Sequence, residues 1–344
     1  MKLLYLSCHQ TLEYDELILF NELGIDCFSL GVYARPSDTG DNVRPGVPLE
    51  FHPELFAIVE ENKKAAAEKG LTDLKEDIDQ RLIDWADVIY CQHIVDWLSF
   101  NWMKMIGKKI IWRSIGQSTL NVENLLIPLR ATGLKIVRYS PREKTIPNYQ
   151  GEDAMIRFYK DPAEWVHWTG EDKTVLTVGQ SMKDRDGACN WSFFEEVTRP
   201  FSRAVYGNPS KVGDPLYKGK PVFENLKQLY RSHRVYFYTG TYPASYTLNF
   251  IEALMTGIPV VALGPRLGNS PHEVGQNTYE IPDIINNGIN GFYSDDPKEL
   301  QWFIKRLMDD YPFAMKIGEA GRQTAIKLFG KEAIKAQWKE YYHV

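Results

Sequence analysis

The sequence predicts an α/β protein with two doubly wound, Rossmann-like domains. Short apolar runs typical of strands alternate with helical patterns through most of the 344 residues, which indicates parallel sheets covered by helices. The alternation starts again after WTGEDK (168–173), and a chain of this length exceeds one ordinary core. Because ligands bind beyond the carboxyl ends of parallel strands, we expect the two domains to face each other across a cleft.

In the first half, strands are predicted where β-branched, aromatic and other apolar residues form short runs. They are LLYLS (3–7), CFSLG (27–31), VIYCQ (88–92), IIWRS (110–114) and KIVRYS (135–140), with helical patterns at 53–69, 73–85, 95–106 and 122–132. The connection at 34–48 is rich in Gly, Pro and Asp, and its length indicates either a functional flap or a disordered insert.

The second half repeats this order of elements. Its predicted strands are TVLTVG (174–179), AVYG (204–207), VYFYTG (235–240) and PVVALG (259–264), and its helices are at 193–198, 222–231, 245–256, 297–309 and 313–329. We therefore expect a first domain at 1–165, a second domain at 166–329 and a terminal helix at 330–344.

Composition favours a cytoplasmic globular protein. Hydrophobic residues make up 44% of the chain and charged residues 25%. No apolar run approaches the roughly 18 residues of a membrane span, and the N-terminus becomes polar too soon for a signal peptide. The four cysteines lie far apart with no C-x-x-C pair, which suits neither a disulfide framework nor a zinc site.

Positive charge is concentrated between residues 101 and 149. Nine Lys or Arg residues in this stretch face only Glu123 and Glu143, although the net charge of the chain is −5. These cations either pair with the acidic stretch at 50–87 or form an anion-binding face. Such a face would suit a polyanionic partner, either nucleic acid such as DNA with a hydroxymethylated base, or an anionic membrane surface.

Several common enzyme motifs are absent from the sequence. It contains no G-x-x-x-x-G-K-[ST] phosphate loop, no G-x-S-x-G elbow, no H-E-x-x-H pair and no glycine-rich dinucleotide turn after the first strand. Asp184 and Asp186 spell D-x-D, a pattern that can hold a divalent cation. We interpret it as a solvated turn and expect no metal ion.

Glu252 stands out on the predicted helix at 245–256. It shares a face with Leu248 and Met255, so the helix turns a carboxylate towards the core. Burying that charge costs several kcal/mol unless hydrogen-bond donors meet it. Either a ligand or an Arg or Lys side chain must therefore supply those donors.

The surrounding sequence resembles a known family. EALMTGIPVVA from Glu252, followed by IPDIINNGINGFYSDDPKEL (281–300), resembles the C-terminal domain of GT-B glycosyltransferases, in particular the group that includes family 4. The resemblance is strong from 236 to 300 and weaker from 174 to 186, and Asp283 stands where the family has Glu. The first half matches only in its order of elements.

The resemblance implies roles for residues of the second half. Glu252 would accept hydrogen bonds from the ribose hydroxyls of a nucleotide sugar, while Ser245 and Thr247 at the helix start would meet its diphosphate. The family's phosphate loop corresponds to 178–186, with Gly179 in place. Arg185 falls at the usual lysine position, and Lys183 is the reserve candidate. Ala244 replaces an acidic residue of the family, which puts recognition of the donor sugar in doubt.

In the first half, candidate residues follow predicted strands. His93 comes after the strand at 88–92, where similar enzymes often carry a histidine, and we assign it a catalytic role together with Arg185. His9 follows the first strand. Arg113 and Gly116 belong to the turn WRSIGQS (112–118) at the end of the next strand, and we place these two with His9 on the acceptor side.

By resemblance, the function is transfer of a sugar from a nucleotide sugar, UDP-linked, to an acceptor with retention of configuration. No metal ion and no cofactor besides this co-substrate are expected. The terminal helix would cross back to the first domain, as in similar enzymes. Two alternatives are a GT-B epimerase, which would release free sugar, and a non-catalytic protein that only binds nucleotide sugars.

Overall fold

The computed structural model describes residues 1–68, 70–165, 167–209, 214–269 and 276–344. The chain forms two compact units: unit 1 comprises Met1–Pro141, Asn148–Ile156 and Lys335–Val344, and unit 2 comprises Arg142–Pro147 and Arg157–Ile334. The main segment of unit 2 thus begins at Arg157, earlier than the boundary that we expected at 166. Residue 166 itself lies outside the described residues, and so does residue 69, the last residue of the helix predicted at 53–69. Unit 1 takes up the C-terminal residues.

Strands form in all nine of the predicted places. In chain order the strands are β1 (Lys2–Leu6), β2 (Asp26–Ser29), β3 (Val88–Gln92), β4 (Lys109–Arg113), β5 (Lys135–Arg138), β6 (Ala154–Met155), β7 (Asp172–Val178), β8 (Arg203–Tyr206), β9 (His233–Tyr238), β10 (Val260–Leu263) and β11 (Phe292–Ser294). The sequence analysis missed β6 and β11, which have two and three residues and therefore give almost no periodic signal.

Helices separate most of these strands. They are α1 (Gln10–Glu22), α2 (Pro53–Glu68), α3 (Gln80–Trp85), α4 (Val95–Asn101), α5 (Leu120–Ala131), α6 (Asp186–Cys189), α7 (Trp191–Thr198), α8 (Phe223–Ser232), α9 (Leu248–Thr256), α10 (Pro265–Gly268), α11 (Ile281–Ile284), α12 (Pro297–Asp309), α13 (Tyr311–Phe329) and α14 (Lys331–Tyr342). Among the described residues, no helix is both long enough and apolar enough to cross a membrane.

Each unit contains one parallel sheet with a reversal in strand order. The sheet of unit 1 has the order β2-β1-β3-β4-β5-β6, and the sheet of unit 2 has the order β11-β10-β9-β7-β8. The predicted class of two doubly wound α/β domains is confirmed. The strand order reverses beside β1 and β3 in the first sheet and beside β7 and β9 in the second, so these pairs mark the switch points where such sheets bind ligands.

Helix α1 lies directly after β1 and was not predicted. Its sequence QTLEYDELILFNE hides the apolar stripe because Glu13, Asp15 and Glu16 are buried along with the apolar side chains. Glu13 accepts hydrogen bonds from Ser29 Oγ at 2.6 Å and from the backbone N–H of Tyr33 at 3.0 Å. These bonds satisfy the carboxylate and fix the chain that follows β2.

The segment at 34–48 is packed against unit 1 by specific contacts. Arg44 is only 2% exposed and lies over the ring of Tyr14, 5.2 Å from its centroid. Tyr33 accepts a hydrogen bond from the backbone N–H of Gly40 at 3.1 Å, and Gln10 accepts one from Asp41 at 2.7 Å. The segment is therefore held by contacts with α1 and with Tyr33. These contacts argue against the expectation that it is a disordered insert.

The C-terminal residues pack on unit 1 through aromatic contacts. Trp338 is 1% exposed, and its ring centroid lies 5.1 Å from that of Phe20 and 5.9 Å from that of Tyr90. Burying an indole in this way contributes several kcal/mol.

Candidate functional site

Three segments of unit 2 meet at the switch point beside β7 and β9. Gly179 directly follows β7, and a Cβ on Gly207, after β8, would lie 2.2 Å from the Gly179 carbonyl oxygen. Asn249, in the first turn of α9, donates a hydrogen bond from Nδ2 to the Val178 carbonyl at 2.6 Å. The glycines let two loops approach closely, and Asn249 fixes the N-terminus of α9 beside them.

Helix α9 begins at Leu248, three residues later than the sequence analysis expected. Its N-cap is Thr247, whose side chain makes no capping hydrogen bond and instead donates to Tyr238 Oη at 3.1 Å. Ser245 is fully buried, and its carbonyl accepts a hydrogen bond from the Glu280 N–H at 3.0 Å. The assignment of Ser245 to the helix start was wrong, and Thr247 and Leu248 occupy that place.

Two cations follow β7 in the short helical turn Lys183–Arg185. Lys183 Nζ lies 3.1 Å from Asp214 Oδ2, and Arg185 donates a hydrogen bond to the Gln180 carbonyl. Both side chains are exposed. The hydrogen bond to Gln180 holds the Arg185 guanidinium near the carboxyl end of β7. A guanidinium has five N–H donors, so others can bind a ligand.

Glu252 forms a buried ion pair. Its Oε1 lies 2.9 Å from Lys160 Nζ, and the two side chains are 5% and 1% exposed. The basic partner that the sequence left unnamed is therefore Lys160, on the segment before β7. Burial, first of all, together with neighbouring Tyr236 and the Glu252 carboxylate, raises the pKa of Tyr230, so this phenol stays neutral beside the pair.

Asp186 is engaged within its own turn. Its Oδ1 accepts a hydrogen bond from the Ser192 N–H at 2.9 Å, and Oδ2 accepts one from the Ser192 hydroxyl. In the described part of the chain, no three His, Cys, Asp or Glu side chains are grouped to hold a metal ion. Asp186 thus supports the first turn of α7.

At the switch point of unit 1, the Gln92 side chain binds the backbone of residues that follow β1. Its Oε1 accepts hydrogen bonds from the backbone N–H groups of Cys8 and His9, both at 3.2 Å. His9 caps α1, since its Nδ1 accepts from the Leu12 N–H at 3.3 Å. The predicted His9 therefore lies at the switch point as an exposed cap. Gln92 was missed, although a polar residue ending the apolar run VIYCQ was a usable signal.

His93 lies on the other side of this switch point in a strained backbone conformation. Its φ is +57°, in the left-handed region, and it is 8% exposed. Its N–H donates to the Arg113 carbonyl at 2.9 Å, and its carbonyl accepts from Trp112 Nε1 at 2.8 Å. Among the described residues, its buried Nδ1 has no hydrogen-bond partner. Burial lowers the pKa of His93 to about 4, so the imidazole is neutral at pH 7.

Arg113 does not reach an acceptor surface. It is fully buried, with Nε 3.2 Å from Glu16 Oε1 and Nη1 donating to the carbonyls of Arg138 at 3.0 Å and Ile156 at 2.6 Å. Arg113 is the last residue of β4, so its side chain still packs within the core and must find these partners. Gly116 is also buried, with φ at +102°. It therefore allows a turn after β4.

A cavity of about 460 Å³ lies in unit 1, next to the residues that follow β1 and β3. It is lined by Ser7, Cys8, Gln10, Glu13, Leu30, Gly31, Val32, Asp73, Lys75, Ile94 and Trp97. Lys75 Nζ lies 2.9 Å from Asp73 Oδ1 and 4.5 Å from the centroid of the Trp97 ring. The cavity thus combines an indole with a few polar groups, as small-molecule sites do. Sequence reasoning missed Lys75 and Trp97 because the 3₁₀ turn Leu74–Glu76 and helix α4 carry them to the cavity from distant positions in the chain.

Most cations of the basic stretch are already paired. Arg138 is buried and forms a two-bond pair with Glu123, at 2.7 and 2.9 Å. Other pairs in this stretch are Lys104 with Asp77, Arg130 and Lys135 with Asp153, and Arg142 with Asp283. Internal pairing therefore accounts for most of the positive charge, and Lys104 pairs with the acidic stretch at 50–87 through Asp77.

Solved structures with this fold include glycosyltransferases. Anabaena HepE in complex with UDP-glucose has a TM-score of 0.68 with 12% identity, covering 100% of this chain and 99% of HepE. Sucrose-phosphate synthase from Thermosynechococcus elongatus gives 0.66 with 16% identity over 100% and 98% of the two chains. A glycosyltransferase from Rickettsia africae gives 0.61 with 14% identity over 99% and 97%. The chain has the GT-B fold. No protein-family model and no curated protein sequence matches it.

Proposed function

We propose that this chain is a glycosyltransferase that binds a UDP-linked sugar on unit 2 and an acceptor on unit 1. The observation that carries the proposal is the switch point of unit 2, where Gly179, Arg185 and the start of α9 come together. The sequence resemblance over 236–300 and the similarity in fold to the HepE complex with UDP-glucose support the same ligand class.

On the donor side, the leaving nucleoside diphosphate needs positive charge. Arg185 and Lys183 supply cations at the end of β7, and the first N–H groups of α9 add the positive end of a helix dipole. Charge stabilisation of this kind lowers the barrier because it acts on the oxygen that gains charge as the sugar leaves. By resemblance we propose retention of configuration and no metal ion.

Glu252 is the residue proposed for the ribose hydroxyls. Its Oε1 lies 2.9 Å from Lys160 Nζ, and a carboxylate is the acceptor group that a ribose diol with two O–H donors would need. The ion pair holds the carboxylate in place. Lys160 then acts as a positioning residue.

On the acceptor side, the cavity lined by Lys75, Ile94 and Trp97, next in sequence to His93, suits a small polyhydroxyl molecule better than a polyanion. Its lining contains the paired charges of Asp73 and Lys75, and most cations of the 101–149 stretch are engaged elsewhere. Neutral His93 offers one N–H and one acceptor nitrogen, so it orients a hydroxyl by hydrogen bonding and carries no proton to spare at neutral pH.

The proposal is tested by release of UDP from a panel of UDP-sugars, with and without small sugar acceptors. We expect acceptor-dependent release of UDP, and Arg185→Gln should reduce kcat/KM roughly 100-fold. Arg199→Gln, at another exposed arginine of unit 2, is the matched control and should leave it unchanged. Binding without any turnover would indicate a non-catalytic protein, and free sugar released without an acceptor would indicate an epimerase. Either result would reject glycosyl transfer.

A further inference from the structure

The loop that carries Arg185 is held by Tyr217, a residue of the segment that follows β8. The Tyr217 Oη accepts a hydrogen bond from the Met182 N–H at 2.7 Å. The Met182 carbonyl accepts one from the Arg185 N–H at 3.1 Å, at the start of the turn Lys183–Arg185. Two successive hydrogen bonds thus connect the Tyr217 hydroxyl with the arginine proposed for the diphosphate.

Met182 has little freedom in this arrangement. It is 2% exposed, and a Cβ on Gly179 would lie 2.5 Å from its Sδ. The preceding residue, Ser181, has a φ of +45°, in the left-handed region where a side chain causes strain. The Ser181 N–H donates to the Asn208 carbonyl at 2.9 Å. A strained loop keeps one conformation when its neighbours hold it, and the hydrogen bond to Tyr217 is one of these restraints.

Tyr217 is itself fixed by the core of unit 2. Its ring stacks on that of Trp191, with centroids 5.9 Å apart and an angle of 15° between the planes. Trp191 is 3% exposed and packs against Phe194, whose ring centroid lies 5.0 Å away. The N–H and the carbonyl of Val205 in β8 bind the residues on either side of Tyr217, at 3.1 and 2.8 Å. Both the ring and the backbone of Tyr217 are therefore held where the hydroxyl meets the loop.

The turn that precedes Tyr217 also holds Lys183. Asp214 Oδ2 lies 3.1 Å from Lys183 Nζ, and the Asp214 carbonyl accepts a hydrogen bond from the Tyr217 N–H at 3.1 Å. The other carboxylate oxygen, Oδ1, accepts from the Leu216 N–H at 2.9 Å. Residues 214–217 thus contact both Met182 and Lys183, which lead into Arg185.

We propose that Tyr217 is a positioning residue for the diphosphate of the nucleotide sugar. It acts through Met182 on the loop that carries Arg185 and need not touch the ligand. A loop that is fixed before the ligand arrives loses less conformational freedom on binding, so the restraint increases affinity. The inference rests on the proposed binding of UDP by unit 2. Tyr217 lies outside 174–186 and 236–300, the stretches that resemble the glycosyltransferase family.

The test is calorimetric titration of the full chain and of its Tyr217→Phe variant with UDP and with uridine. The variant keeps a ring to stack on Trp191 but removes the acceptor of the Met182 N–H. We expect its affinity for UDP to fall about 3- to 10-fold. Uridine has no diphosphate and should bind both proteins equally. A merely structural role of the hydroxyl would not affect one of these ligands and spare the other.

Tyr293→Phe is the matched control, because Tyr293 is another half-buried tyrosine of unit 2 and lies on β11. This variant should bind UDP like the parent protein. Equal affinity of Tyr217→Phe and the parent for UDP would overturn the inference and leave the proposed function standing. Equal weakening for UDP and uridine would also overturn it, since the effect would then not depend on the diphosphate. A parent protein that binds neither ligand would reject the proposed function and this inference with it.

Discussion

The switch points of the two sheets have the same topology but differ in how they hold charge. In unit 1, the charged groups near β1 and β3 are buried and mutually satisfied, as in the contact of Arg113 with Glu16. In unit 2, the cations after β7 are exposed and lie beside close-packed glycines and a helix N-terminus. The two arginines predicted for functional roles thus have opposite environments: Arg113, placed on the acceptor side, is in the core, and Arg185, predicted to meet the diphosphate, is in solvent.

This difference indicates which ligand each unit suits. A buried ion pair fixes positions but offers little free charge, so unit 1 is suited to a neutral molecule read by hydrogen bonds and ring contact. Exposed cations beside backbone N–H groups suit a diphosphate, whose negative charge they can meet without first breaking a core contact. The division agrees with an acceptor on unit 1 and a nucleotide sugar on unit 2.

Replacing Arg113 by Met should give the largest effect on stability. It leaves the Glu16 carboxylate buried without its cation, and the loss should be about 3 to 5 kcal/mol in the free energy of unfolding. Arg185→Met is the matched control in unit 2; because that side chain is exposed, its loss should be below about 0.5 kcal/mol. Urea denaturation measures both. Similar losses for the two variants would contradict the contrast between the units.

Variants of the Lys160 and Glu252 pair can distinguish a structural role of Glu252 from a role in ligand binding. Lys160→Met alone should lose about 3 kcal/mol of stability, and the double variant Lys160→Met, Glu252→Leu should recover most of it because no charge is then buried. If Glu252 also binds ribose, calorimetry should show that UDP binding to the folded double variant weakens by about 1.5 to 3 kcal/mol.

The control for this experiment is a second buried pair, Arg138→Met with Glu123→Leu in unit 1, which should leave UDP binding unchanged. An unchanged affinity in the double variant of Lys160 and Glu252 would assign that pair to structure alone.

His93 should make stability depend on pH. Its folded pKa of about 4 is below the ordinary value of 6.5, so the unfolded chain binds the proton first, and stability falls as pH drops from 6.5 to 4, by up to about 3 kcal/mol. His93→Asn, which tolerates a positive φ, should remove this part of the pH dependence. His343→Asn is matched because His343 also has a positive φ, at +59°, and is exposed. Unfolding curves that change equally for both variants would reject the assignment.

The sequence was sufficient for the fold because periodicity reports burial of apolar side chains. Every strand of four or more residues was predicted, and the resemblance at 236–300 indicated the fold correctly. Helix α1 escaped because its buried residues include three carboxylates, which a pattern of apolar residues counts as exposed. Their partners are distant in the chain: the Tyr33 N–H donates a hydrogen bond to Glu13, and Arg113 forms an ion pair with Glu16.

The candidate site was less predictable for the same reason. The sequence indicated that Glu252 needs a donor, but Lys160 lies 92 positions earlier, and no local rule joins them. Placing Arg113 on the acceptor side failed because it is still the last residue of β4 and packs in the core, whereas Arg185 lies beyond the end of β7. Charge along the chain likewise left open whether the cations at 101–149 pair or form an anion-binding face, because the pairs of Arg138 and Arg142 form only when the chain folds.

The smallest effects on stability are expected at the D-x-D turn, Asp184–Asp186. Experiments there also test whether the positive charge in unit 2 comes from a metal ion or from side chains. Asp186→Ala removes the acceptor for the Ser192 N–H and hydroxyl, so the free energy of unfolding should fall by about 1 kcal/mol. Asp184→Ala, at an exposed neighbour, should change it by less than about 0.5 kcal/mol.

EDTA should leave UDP release unchanged if Arg185 and Lys183 supply the charge, because a chelator would strip a divalent cation held by two carboxylates. Activity that EDTA removes and one added metal restores would make Asp184 and Asp186 ligands, and the donor site would then depend on a cation that the chain must recruit.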